Sequence, residues 1–405
     1  MGLVRVGAAL TAAQTAVYLT VNAVATVLLP VQIARLVGEA HKESWLGIVS
    51  SVGAAVSMLA SPVIGMLSDR TRHRLGRRAP WLLAGGAGAV VAFAAVGFAP
   101  GPTSLLLAFA LAQITVVLVT TPLSTVMAER VPRSRRGTVG ALPALATTLA
   151  AACAGWLGAA FVDTPAVGTT FLGAVVLVGT VVFVLVAPER SSRDDDRAQA
   201  PRGTPAPMWR TMFVAFRDHN FRWACAGRVL VVMAYAVLQT RLLYFVQSRF
   251  DLDLHAATAS VATVNAVAGL LTVIGLVTAA PLSDRFGRRP FVYFGGSVVG
   301  LGMLLVTRIT SETQFLLAWG LVSLAFGAFM GVDAALTADV LPDAEGVGKD
   351  LGLINLAQTV PQTLAPALGS AVLTVTGGSY TLLLLLGAVC AVASVFTTAR
   401  LRGVR

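Results

Sequence analysis

Two ionisable side chains of opposite charge interrupt apolar stretches at comparable depth. Asp333 lies about two turns before the end of the apolar run Gln314–Ala338, and Arg228 lies a similar distance into the run Trp223–Val246. Arg241 sits near the far end of the latter run, with Gln239 before it and Tyr244 after it. Charged groups are expensive away from water, so each is a functional candidate by default. Desolvation favours the protonated form of such a carboxylate, and a nearby guanidinium favours the ionised one. That chemistry suits either a proton site or a fixed structural ion pair. The forked donors of Arg241 suit an anionic or hydroxyl-rich solute if the side chain faces a cavity. The other reading is an anchor that snorkels to the membrane surface.

Uncharged polar candidates for a solute cavity are Tyr18, Asn22, Gln113, Asn265, Asn355, Gln358 and Gln362. Amides on cavity faces suit sugar hydroxyls, and equally they tie helices together. The spacing of Asn355, Gln358 and Gln362 places all three on one helix face. Pro361 and Pro366 free carbonyls nearby and permit bending. No enzyme constellation is readable: there is no phosphate loop with Lys, no HExxH and no Ser/His/Asp set in a polar domain. The four histidines have no ligand spacing, so neither a metal nor a cofactor is expected. Without a nucleotide-binding loop, the energy for any work must come from a gradient.

The elements that carry these residues are membrane spans. The chain is 56% hydrophobic and 12% charged, against about 25% charge in a soluble domain. Its mean hydropathy is +0.79. The bilayer must therefore be its main solvent. The net charge of +11 does not signal nucleic acid, because the arginines lie in short clusters between apolar runs, where charge sets topology. The three cysteines, Cys153, Cys225 and Cys390, fall in or beside apolar runs as small core residues, with no disulfide framework. Twelve runs are long enough to span: Ala9–Leu36, Trp45–Leu67, Trp81–Ala99, Ser104–Met127, Val139–Val162, Thr169–Ala187, Trp223–Val246, Ala257–Leu282, Phe291–Thr307, Gln314–Ala338, Leu351–Val375 and Tyr380–Ala399. The first is too long for a signal peptide and is expected to remain as an uncleaved span. Trp45, Trp81 and Trp223 stand at span ends as interfacial anchors.

With the N-terminus inside, 24 of the 30 basic side chains fall on the cytoplasmic side and 4 on the other, namely Arg35, Lys42, Arg249 and Arg308. Both termini are thus expected in the cytoplasm of a cell whose inner membrane holds the protein. One long polar connection, containing R-D-D-D-R and P-R-G-T-P-A-P, divides the spans six and six. The expected domains are a bundle over 1–187, a cytoplasmic linker over 188–220 and a second bundle over 221–405. Trp209, Met212, Phe213, Phe216 and Phe221 suggest a short amphipathic helix at the end of the linker. The fold class is an all-α membrane protein with twelve spans in two pseudo-symmetric bundles.

Charge motifs support the duplication. G-M-L-S-D-R-T-R-H-R-L-G-R-R-A-P (Gly65–Pro80) returns in shortened form as P-L-S-D-R-F-G-R-R-P (Pro281–Pro290). A-E-R-V-P (Ala128–Pro132) returns as A-D-V-L-P (Ala338–Pro342). Both pairs hold the same ordinal place in each half. Repeated halves about a membrane-normal axis are a transporter arrangement.

The paired S-D-R…G-R-R motifs, the twelve spans and the central loop resemble the major facilitator superfamily across essentially the whole chain. P-V-I-G-M-L-S-D-R-T-R-H-R-L-G-R-R-A-P-W and the stretch Ala338–Gly369 are most similar to the glycoside–pentoside–hexuronide:cation symporters and their sucrose-transporter-like relatives. The resemblance implies alternating-access transport of a small polar solute, often a sugar, by a monomer without nucleic-acid partners. It also implies that the spans bearing Arg228 and Asp333 both line the cavity, so that these two residues pair as the coupling site. Where sodium-using members carry two carboxylates, this chain has Ser57 and Ser61, so H⁺ rather than Na⁺ is the expected coupling ion. The alternative is a proton-coupled exporter of a drug-like or natural-product compound. The proline–glycine signature of many such exporters is not evident, since the fifth run has Gly155 and Gly158 without the proline. The motif loops, with Gly65, Asp69, Arg70, Gly76, Arg77 and Arg78 in one copy and Asp284, Arg285, Gly287, Arg288 and Arg289 in the other, are implied to latch the inner gate. Asp69 is expected to pair with nearby arginines and to face the N-terminus of the eleventh span. Gly65 is expected to allow close helix contact. With Ala280 in the corresponding place, the first copy is expected to be the stronger latch.

Overall fold

The structure, a computed structural model, describes residues 3–130, 136–189, 191, 218–339 and 347–401, and their side chains except at 3, 127–145, 147, 280, 284 and 334–356. The amphipathic segment expected before residue 218 and the second pair of charge motifs lie wholly or largely outside these residues. The first half comprises α1 (Leu3–Ala23), a π-helical turn (Val24–Leu28), α2 (Leu29–Val37), α3 (Lys42–Arg70), α4 (Ala79–Gly97), α5 (Pro102–Arg130), α6 (Arg136–Ala159) and α7 (Pro165–Val186). The second comprises α8 (His219–Gln239), α9 (Leu242–Phe250), α10 (Leu254–Phe286), α11 (Arg288–Val306), α12 (Glu312–Asp339), α13 (Val347–Val375) and α14 (Tyr380–Ala399). No strand occurs among the described residues.

Among the described residues, ten stretches are helical, long and apolar enough to cross a membrane. The two other expected spans fall on α6 and α13, which are 24 and 29 residues long. Large apolar side chains such as Leu185 (73% exposed), Val91 (67%) and Leu107 (67%) point outward, as a protein solvated by lipid requires. The sequence explains most boundaries. Proline occupies the first turn of α4 and α7, where its missing N–H costs nothing. Asp218 caps α8, its carboxylate accepting from the Phe221 amide at 2.8 Å. The π-helical turn, in which the Leu29 amide reaches back to the Val24 carbonyl, immediately precedes Pro30. Proline lacks the amide needed for the next regular bond, so the ladder is already interrupted there.

Contacts divide the chain into two compact units, Met1–Pro201 with Asp253–Ala266, and Arg202–Leu252 with Val267–Arg405. The start of α10 joins the first unit at Gly155, where an added Cβ would lie 2.7 Å from the Ala262 Cα. In the same unit, α7 lies close against α4: a Cβ on Gly173 would sit 2.7 Å from the Ala89 carbonyl oxygen. In the second unit, α12 meets α10 equally closely at Gly331, where a Cβ would lie 2.7 Å from the Leu276 carbonyl oxygen. Small residues are how helices approach when the solvent is lipid and burial alone gives no drive.

An aromatic stack sets the register of the second unit. Tyr235 of α8 stacks on Phe326 and Trp319 of α12, with ring centroids 4.2 and 5.1 Å away. The helices run antiparallel there, and seven residues back in α8 and seven residues on in α12 stand Arg228 and Asp333.

Candidate functional site

That register brings the two charged residues together. The Arg228 Nε donates to Asp333 Oδ2. Arg228 is 5% exposed and Asp333 2%. Ala224 and Val231 on α8 and Phe329 and Val332 on α12, which flank the pair along their helices, belong to one apolar cluster. The arrangement holds a buried carboxylic acid with the Arg228 guanidinium as its counter-ion.

Arg241 does not snorkel. The run Trp223–Val246 is not one helix: α8 ends at Gln239, Arg241 leaves helical geometry at φ −125° and ψ 14°, and α9 begins at Leu242. Arg241 is 1% exposed. Its guanidinium donates to the Pro366 carbonyl and, at 2.7 Å, to Ser370 Oγ on α13. A Cβ on Gly369 would lie 2.3 Å from its Nε, so the guanidinium is pressed against the α13 backbone. The side chain clamps the helix break to α13 instead of reaching the membrane surface.

The uncharged candidates divide. Asn265 is buried, 7% exposed. The Asn22 amide donates to the Tyr18 carbonyl one turn back, at 2.8 Å. Tyr18 is 44% exposed, Gln113 and Gln358 are half-buried, and Gln362 is exposed. Among the described residues, the side chains of Tyr18, Gln113, Gln358 and Gln362 make no hydrogen bond, which leaves them available to a solute. The Asn355 side chain lies outside the described residues. Ser61, which stands where sodium-using relatives carry a carboxylate, shares its hydroxyl with Thr121 Oγ1 at 3.3 Å.

The motif loop of the first unit is built around Arg78. This side chain is 2% exposed. Its guanidinium donates to Ser68 Oγ at 2.8 Å and to Asp69 Oδ1 at 2.6 Å. Its backbone amide donates to Glu189 Oε2 at 2.8 Å. Gly76 makes this seat possible: its φ is +96°, and a Cβ there would fall 2.3 Å from the Glu189 carboxylate. Trp81 closes the loop by donating from Nε1 to Thr71 Oγ1 at 2.7 Å. Arg70 is exposed and Arg77 half-buried. Gly65 does not supply a tight approach, because a Cβ there would meet only Thr121 Cγ2 at an ordinary 3.7 Å. Glu189 was not singled out in the sequence. It lies at the start of the acid- and arginine-rich linker, where one more acid carries little signal.

In the second copy Gly287 again has positive φ, +89°. Arg289 corresponds to Arg78, and it donates to the Leu401 carbonyl. Arg285 is exposed and Arg288 half-buried; the Asp284 side chain lies outside the described residues. Leu401 follows the last helix of its half, as Glu189 follows the last helix of the other.

Comparison with known proteins agrees with this architecture. Solved structures that the chain resembles include transporters. One is a bacterial homolog of the human lysosomal transporter Spinster, in an inward-facing and unoccupied conformation, 16% identical with TM-score 0.69 over 98% of this chain and 94% of that one. A peptide transporter POT in complex with sulfate is 17% identical, with TM-score 0.71 over 99% and 96%. A POT family transporter in complex with 5-aminolevulinic acid is 11% identical, with TM-score 0.74 over 96% and 94%. At such identities the likeness shows a shared fold. A short stretch of 39 residues, 10% of this chain, is 51% identical to an uncharacterized symporter, sll1374, of Synechocystis, and spans only 7% of that protein. The family described as MFS/sugar transport protein matches residues 40–376, most of the chain. The fold, the ten membrane-length helices and this match together place the chain in the MFS/sugar transport protein family.

Proposed function

We propose that the protein is a proton-coupled secondary transporter that moves a small polar solute, of the sugar or glycoside class, across the cytoplasmic membrane by alternating access. The observation that carries this reading is the Arg228–Asp333 pair, a buried protonatable group held by a guanidinium on the facing helix. A fixed pair of this kind is weak support for stability, because desolvation cancels much of the attraction. A change of protonation state gives it a use: neutral Asp333 releases Arg228, and ionised Asp333 recaptures it. Tyr18, Gln113, Gln358 and Gln362, whose side chains make no hydrogen bond among the described residues, would supply hydroxyl and amide partners for a polyol. Ser57 and Ser61 in place of carboxylates favour H⁺ over Na⁺. The arginine asymmetry of 24 to 4 supports cytoplasmic termini. Residues 1–187 and 221–405 would be the two moving bodies, with the Arg78 loop as a latch on the inner side.

The test is transport by the purified protein in liposomes, after a sugar and glycoside panel has identified a solute that raises its unfolding temperature. Asp333→Asn is expected to abolish accumulation driven by a pH gradient while solute counterflow persists. Unchanged pH-driven accumulation in that variant would remove Asp333 from the coupling step.

A further inference from the structure

The end of the second unit remote from Arg289 and Leu401 carries a cavity of about 240 Å³. It lies between α9, the end of α11 and the start of α14, and no candidate solute residue lines it. Its lining holds one charged side chain, Arg249, and no acid. Asp251 and Asp253, the acids nearest in sequence, are not part of the wall.

We propose that this cavity binds a phosphate group, either as free inorganic phosphate or as the phosphodiester headgroup of a phospholipid. The guanidinium is held in place rather than left to wander: Nε donates to the Ile309 carbonyl at 3.1 Å, and Nη2 donates to the same oxygen. Among the described contacts Nη1 makes no bond, so one edge of the fork is left to pair with an anion. Three further donors surround it. Ser248, Ser379 and Thr381 line the cavity, and their hydroxyls make no hydrogen bond among the described residues. Ser379 stands at the N-cap of α14 without capping it, so the first-turn amides of that helix lack the usual side-chain acceptor. The helix start, whose Ser379, Tyr380 and Thr381 are part of the wall, adds partial positive charge there. The floor is apolar, with Phe245 and Tyr380 packed edge to face at 5.2 Å. A charged fork, three hydroxyls and a helix start above an apolar floor match a phosphate on an amphipathic carrier as well as a free one.

The experiment uses the full chain in phosphate-free neutral detergent and follows thermal unfolding during two titrations. One adds inorganic phosphate, and the other adds dihexanoylphosphatidylglycerol below its micelle concentration. Saturable stabilisation by both assigns the site to phosphate itself; saturation by the lipid alone assigns it to a headgroup. In either case Arg249→Gln is expected to weaken binding about tenfold, and Thr381→Val about threefold. Thr381 is exposed, so its variant should fold normally and decides the matter if Arg249→Gln does not. No saturable stabilisation by either ligand, or equal stabilisation of the wild type and the Thr381→Val variant, overturns the proposal.

Discussion

The two motif loops share a turn and differ in what the turn holds. Both place glycine at positive φ, Gly76 at +96° and Gly287 at +89°, immediately before a pair of arginines. In the first loop the second arginine is enclosed by polar side chains, with Asp69 and Ser68 on its guanidinium and Glu189 on its amide. In the second the corresponding arginine reaches a main-chain carbonyl at Leu401. A carbonyl cannot be protonated and is replaced by no side-chain substitution, whereas carboxylates are set by two particular residues. The first loop is therefore tunable by sequence and the second is a fixed tether.

The largest effect should come from removing the two arginines in turn. Arg78→Leu breaks two charge-assisted bonds and is expected to cost about 3 kcal/mol, whereas Arg289→Leu breaks one and should cost about half that. Thermal unfolding of both variants measures the gap, and equal losses would erase the distinction between the loops. Next come the glycines. Gly76→Ala combines a backbone penalty of about 1–2 kcal/mol with displacement of Glu189. Gly287→Ala carries the backbone penalty alone. The double change Gly76→Ala with Glu189→Ala should recover none of the lost Arg78 amide bond, which separates that bond from the clash. A smaller effect, about 1 kcal/mol, is expected for Glu189→Gln, which keeps an acceptor but loses its charge. The smallest belongs to Gly65→Ala, expected within about 0.5 kcal/mol because the space accepts a methyl. A large loss there would restore Gly65 as the source of the asymmetry.

The spans were legible in the sequence because hydropathy over twenty residues is a strong signal, and the loops because their motifs recur. The Arg228–Asp333 pair was legible for a narrower reason. Charged groups at matching depth in apolar helices have few partners, so depth alone nearly identifies them. Arg241 was equally visible but its partners were not, because they are a main-chain carbonyl of α13 and the hydroxyl of Ser370. Neither has a charge pattern to read. The helix break at Thr240–Arg241 lacks the glycine or proline that usually marks one. Gly65 was overread, since a glycine in a conspicuous motif invites a steric role that only coordinates test.

The clamp at Arg241 also bears on how the chain is made. α8 and the break beside it carry Arg228 and Arg241; an arginine at the centre of a span opposes insertion by about 2.5–3.5 kcal/mol, and Arg228 lies near the middle of α8 while Arg241 lies nearer the end of the run. Their partners, Asp333 on α12 and the Pro366–Ser370 turn on α13, are synthesised more than a hundred residues later. This helix therefore leaves the ribosome with both charges uncompensated. It gains its stable seat in the bilayer only when the last third of the chain arrives to receive it.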